Sequence, residues 1–142
     1  MAKPNTDKSK NAAPAEPEYP LTTMAVVAPF VGWLIPGGGH ILLKRYGRGA
    51  LLLVSVVAMF LIGLGMQGRI YKPNGGDILD ILGFVGDVGS GLLYFIARAM
   101  DWGNVMAANA AADYGKTFLI VAGLLNFIAV ADAHHIALGK KP

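Results

Sequence analysis

Residues 49–68, GALLLVSVVAMFLIGLGMQG, run for 20 positions without a formal charge between Arg48 and Arg69. Wound as a helix at about 1.5 Å per residue, such a segment is about 30 Å long, the thickness of the hydrocarbon core of a bilayer. A helix buried in a water-soluble bundle keeps a polar stripe, whereas Ser55 and Gln67 are the only polar side chains here. The segment therefore reads as a membrane span over about 49–70. Composition agrees, because 15% of the chain is charged and 54% hydrophobic, against roughly 25% charged in an ordinary soluble domain. The expected fold class is all-α: an integral membrane protein of three to four transmembrane or membrane-associated helices.

The rest of the chain divides around that span. Residues 1–20 hold four of the eight prolines, three lysines and three acids, and almost no large apolar side chain. They cannot bury enough surface to offset the entropy of ordering, so a disordered tail is expected before a membrane domain over 21–142. No apolar core follows the early lysines, so the tail does not read as a signal peptide.

Between Glu18 and Lys44 lie 25 residues without formal charge, interrupted by Pro29, Pro36 and Gly37-Gly38-Gly39. A helix over 21–35 would be only about 22 Å long. Two arrangements fit: a crossing over about 21–43 whose far end unwinds at the glycines, or a re-entrant hairpin. The crossing is preferred. Residues 117–138 read as a further span, with Gly139 placed to end the helix and Lys140 and Lys141 placed to reach the headgroups.

Residues 78–100 carry two faces at helical spacing. Ile81, Val85, Val88, Leu92 and Phe95 form an apolar one, and Asp80, Gly83, Asp87, Ser90 and Tyr94 the opposite. The pattern suits an interfacial amphipathic helix, or one whose polar side is turned toward protein, with a crossing as the remaining option. Residues 101–116 read as a loop or short surface helix. Trp33, Tyr46, Tyr71, Tyr94, Trp102 and Tyr114 fall near segment ends, as an interfacial aromatic belt would.

Several residues invite a chemical reading. Ala122, Asn126, Ala129 and Ala133 share one face of the last span, where small side chains permit close helix packing and an amide seeks a partner across the interface. His40 sits at the glycine corner, and Lys44, Arg45 and Arg48 after it are placed to meet lipid phosphate. Asp132 and His135, three apart, suit a polar or proton-handling pair, while Asp80 and Asp87 share a helix face. The two aspartates are about 10 Å apart along the axis, too far to share a proton, and the Gly-x-Gly-Asp spacing of intramembrane aspartyl proteases is missed by one residue. Residues 110–117, AAADYGKT, meet the loosest phosphate-loop pattern but lead into an apolar helix with no strand before them. The chain has no cysteine, and His134 and His135 lie about 100° apart on a helix, so no metal site is expected. The basic residues are scattered and the net charge is only +3, which argues against nucleic acid.

A resemblance rests on particular runs. Ile35-Pro36-Gly37-Gly38-Gly39-His40, followed by the basic stretch 44–49, looks like the corner of small two-helix bacterial membrane modules. The closing runs Ala122-Gly123-Leu124-Leu125-Asn126 and Asp132-Ala133, then Ile136 to Lys140, resemble an uncharacterised family of small acidobacterial-type polytopic membrane proteins, over about residues 21–142. The resemblance implies a membrane fold and no assigned activity. The expectation is thus a non-enzymatic accessory or scaffolding subunit of a bacterial inner-membrane complex, without cofactor. Its expected partners are membrane lipids and either other integral subunits or its own copies. The alternative is a small oligomeric ion or proton conductor that uses Asp80, Asp87, Asp132 and His135.

Overall fold

The computed structural model describes residues 22–72, 76–104 and 109–140. The tail 1–20 lies outside them. The described residues form six helices and no strand: α1 (Thr23–Leu34), α2 (Gly38–Leu42), α3 (Tyr46–Gly65), α4 (Ile78–Gly89), α5 (Leu92–Ala99) and α6 (Ala110–Ala137). Only α3 and α6 are long and apolar enough to cross a bilayer on their own, and α4 with α5 makes a third candidate only if the bent pair is counted as one span.

The chain wears its aliphatic side chains outward. On α3, Leu51, Val54, Leu61 and Ile62 are exposed, while Gly49, Val56, Phe60 and Gly63 are buried. On α4 the inversion is sharper: Ile78, Leu79, Ile81, Leu82 and Val85 face out, and Gly83, Gly86, Asp87 and Gly89 face in. Water would penalise that arrangement and lipid favours it. Of the options for 78–100, the one with its polar side against protein is what the structure adopts. The protein is an all-α membrane protein.

α6 is the mast against which α1, α2, α3 and α4 pack. It starts seven residues before the expected 117, because Asn109 caps it: the Asn109 Oδ1 accepts from the Ala112 N–H at 2.8 Å. Backbones come together at two glycine contacts. A methyl group at Gly115 would stand 2.8 Å from the Gly63 carbonyl oxygen and 2.7 Å from the Gly68 nitrogen. One at Gly89 would stand 2.6 Å from the Gly123 oxygen. Small residues in place of branched ones let the helices dock at backbone distance, as apolar solvent requires. Around them Val56, Phe60, Ile70, Tyr94, Ala97, Leu119 and Ala122 close one core.

Both broken segments turn back for backbone reasons, and of the two arrangements weighed for 21–43 the hairpin is the one found. α1 ends at Leu34, Ile35 is extended, and Gly37 adopts φ +75°, a left-handed turn that a Cβ would strain. α2 then leads the chain back. Ala25, near the start of α1, touches His134 of α6, and His40 of α2 touches Asp132 beside it. The chain therefore enters and leaves at the same end of α6, and 21–43 forms a hairpin that reaches only as deep as Asn126, against which Trp33 lies. α4 and α5 are bent by 107° at Ser90-Gly91. Both arms meet the segment that follows α3, since the Tyr71 N–H donates to Asp87 and its ring packs on Gly83, while the Ile70 N–H donates to the Gly103 carbonyl at 3.1 Å. This second hairpin enters from the opposite end, where Gly63 of α3 meets Gly115 of α6.

Candidate functional site

The tips of the two hairpins meet on α6, and that junction is where polar side chains gather at depth. A helix leaves its last four carbonyls without intrahelical donors, and in hydrocarbon each must find one. α1 and α4 both end here. The Asn126 side chain, fully buried, donates through Nδ2 to the Trp33 carbonyl at 3.0 Å and to the Gly89 carbonyl at 2.9 Å. One amide thus caps both helix ends. The Trp33 indole N–H donates to the Val88 carbonyl at 3.1 Å, and the Ser90 hydroxyl donates to the Asp87 carbonyl at 2.5 Å. Gly91 at φ +61° lies so close to the Trp33 carbonyl that no Cβ would fit. Rings wedge the tip in place, with Trp33 edge-on to Phe95 at 6.4 Å and Tyr94 edge-on to Phe84 at 6.0 Å.

The predicted packing face is all inside: Ala122, Asn126 and Ala133 are fully buried and Ala129 nearly so. It serves contacts within this chain. Two aromatic residues expected at the headgroups are elsewhere, because Trp33 sits at the junction and Tyr94 is in the core. Tyr46, Trp102 and Tyr114 are exposed at helix ends.

A second polar group lies where α2 meets the last turns of α6. Buried His40 donates through Nε2 to the Asp132 carboxylate at 3.1 Å, and the Asp132 side chain keeps 27% exposure. The partner of Asp132 across the fold is therefore on α2, 92 residues away. His135 is exposed on the far side, its ring 6.2 Å from that of His134. The Arg45 N–H donates to the His40 carbonyl at 2.8 Å, fixing the corner from which exposed Lys44 and Arg48 project.

His134 has a task that sequence reasoning missed. Pro29 lies inside α1 and has no N–H, so the Ala25 carbonyl four residues earlier loses its donor. The His134 Nδ1–H supplies one at 2.7 Å. The signal was present: a proline within an apolar helix orphans a carbonyl at i−4, and a histidine in another apolar segment is a candidate donor. His134→Leu should destabilise the solubilised protein by about 1 kcal/mol, and adding Pro29→Ala, which restores the backbone donor, should return most of it. Unfolding midpoints of the two single variants and the double one check this; equal losses with and without Pro29 would refute it.

Asp80 and Asp87 are not brought together as a site. Asp87 is buried and its Oδ2 accepts from the Tyr71 backbone N–H at 2.7 Å, whereas Asp80 is half-buried about two helix turns earlier in α4. Among the described residues, the buried side-chain oxygens without a hydrogen-bond donor are Asp87 Oδ1 and Asn126 Oδ1. No group of three or more metal-ligating side chains is found among the described residues.

A family model matches residues 27–142, which takes in the glycine corner, most of the first hairpin, the second hairpin and the whole of α6. The chain belongs to DUF6677, a family of unknown function. An uncharacterised family is what the corner and closing-helix runs pointed to. No curated protein and no solved structure matches the chain, so the family assignment carries no activity with it.

Proposed function

We propose that the protein is a non-enzymatic accessory or scaffolding subunit of a larger membrane assembly, multi-pass in a bacterial cytoplasmic membrane, as its likeness to small acidobacterial-type membrane proteins suggests. The observation that carries this reading is how the deep polar side chains are engaged. Asn126 and His134 bond backbone carbonyls that a helix break or a proline left without a donor, and Trp33 adds a second donor to the Val88 carbonyl, which the Gly91 N–H also bonds. Groups held in this way fix a shape rather than meet a substrate. The exposed aliphatic faces of α3 and α4 then contact lipid or neighbouring subunits, and Lys44, Arg45 and Arg48 contact lipid phosphate. Purification in mild detergent tests the reading: stoichiometric companion subunits on a native gel are expected, and a lone species would overturn it.

One observation favours a second reading, a small oligomeric conductor of ions or protons. The unpartnered oxygens of Asp87 and Asn126 lie on the inward faces of α4 and α6, and the His40–Asp132 pair lies further toward one end of α6. Asp80 and His135 would then serve the two ends of the path. Proteoliposome flux abolished by Asp87→Asn is its signature; absence of flux from the wild type removes it.

A further inference from the structure

At the end of the molecule where α3 stops, the return of α5 builds a two-part surface. A polar recess is lined by Lys72, Arg98, Asp101 and Asn104. An open apolar groove lined by Leu61, Leu64, Gly65 and Trp102 adjoins it, and the turn Asp101-Trp102-Gly103 borders both. The turn is held by its backbone: the Trp102 N–H donates to the Ala97 carbonyl at 2.8 Å, and the Gly103 carbonyl accepts from Ile70. The charged groups are placed individually. Lys72 Nζ donates to Asn104 Oδ1 at 3.0 Å, and Arg98 Nη1 donates to the Tyr94 hydroxyl at 3.1 Å. Each bond uses one N–H and leaves the remaining donors for a ligand. Among the described residues, no ion pair joins either cation to Asp101. Two cations and one carboxylate thus share a recess without neutralising one another.

We propose that this surface holds one glycerophospholipid with a primary-amine headgroup, of the phosphatidylethanolamine type. Lys72 and Arg98 take the phosphate oxygens, for which a guanidinium fork and an ammonium are suited. Asp101 takes the headgroup amine. One acyl chain runs along Leu61 and Leu64, across the open side of Gly65 and under Trp102, whose indole sits at the headgroup level as interfacial tryptophans do. The charge pattern selects this lipid over others: a glycerol headgroup brings no cation to the Asp101 carboxylate, and a choline headgroup offers it no N–H.

Native mass spectrometry of delipidated protein, titrated with ethanolamine, glycerol and choline phospholipids in turn, tests the assignment. One retained ethanolamine lipid per chain is expected. Lys72→Gln with Arg98→Gln should weaken retention roughly tenfold. Asp101→Asn, which keeps the left-handed φ of +56° that asparagine tolerates, should erase the preference for ethanolamine over glycerol headgroups. Gly65→Phe should block the chain, because a Cβ there meets nothing within 4 Å and the ring can fill the groove without disturbing the backbone. All variants should keep the wild-type helical circular dichroism. The assignment fails if retention is unchanged in the Lys72/Arg98 double variant, or if glycerol or choline lipids bind as well as ethanolamine lipid. It also fails if chain-free glycerophosphoethanolamine competes as strongly as the lipid, which would mark the recess as a site for a soluble phosphate compound.

Discussion

Replacing Asn126 by leucine should lower the unfolding free energy of the solubilised protein by about 2–4 kcal/mol, the largest loss expected from any single polar side chain in the fold. Leucine keeps the branched shape and heavy-atom count of asparagine and leaves no cavity, so the loss reports the missing hydrogen bonds together with the fit of two larger methyl groups. Two carbonyls, at Trp33 and Gly89, would be left at depth with no donor in reach. Side-chain hydrogen bonds between membrane helices usually contribute little, about 0.6 kcal/mol on average, because the separated helices find other partners. Here the acceptors are the frayed ends of two broken helices, and lipid tails offer them nothing. Trp33→Phe removes one donor, to Val88, and should cost about 1 kcal/mol. The comparison separates the two contributions. Reversible unfolding in mixed micelles measures both, and an Asn126→Leu protein as stable as the wild type would show that the hairpin tips are held by packing alone.

The long span was legible in the sequence because charge is sparse and length is easily counted: the gap between Arg48 and Arg69 contains most of α3. The last span was legible for the same reason, and its early start was marked by Asn109 before three alanines, a cap signal outweighed by the apparent loop composition around it. For α4, the 3.6-residue spacing of Asp80, Gly83 and Asp87 defined a face but not its direction. Direction depends on the solvent, and in lipid the polar face turns inward. What the sequence concealed was which residues meet across long separations. His40 finds Asp132 at 92 positions and Trp33 finds Asn126 at 93, with no periodicity to announce either. Asn126 was recognisable as an amide in need of a partner. That its partners would be two helix ends arriving from opposite sides required knowing that both 21–43 and 78–100 turn back, and the breaks at Gly37 and Gly91 carry that information only through backbone torsion.

The turning back makes an all-or-none prediction. Because the chain has no cysteine, single thiols can be placed anywhere and read without background. Thr22→Cys, Lys44→Cys and Lys140→Cys should all react with a membrane-impermeant maleimide from one side of sealed vesicles. Asp77→Cys and Asp101→Cys should react only from the other. These five positions discriminate every arrangement at issue. If 21–43 crossed, Thr22 and Lys44 would label from opposite sides; if 78–100 crossed, Asp77 and Asp101 would. Only two full spans with a hairpin dipping in from each face puts the first three together and the last two together. Lys44, Arg45, Arg48 and Lys140 share a side with Thr22, whereas Arg69, Lys72, Arg98 and Lys116 belong to the other. Labelling of Thr22 and Lys140 from opposite faces would require an odd number of crossings, which the contacts of Ala25 and His40 with the same turn of α6 forbid.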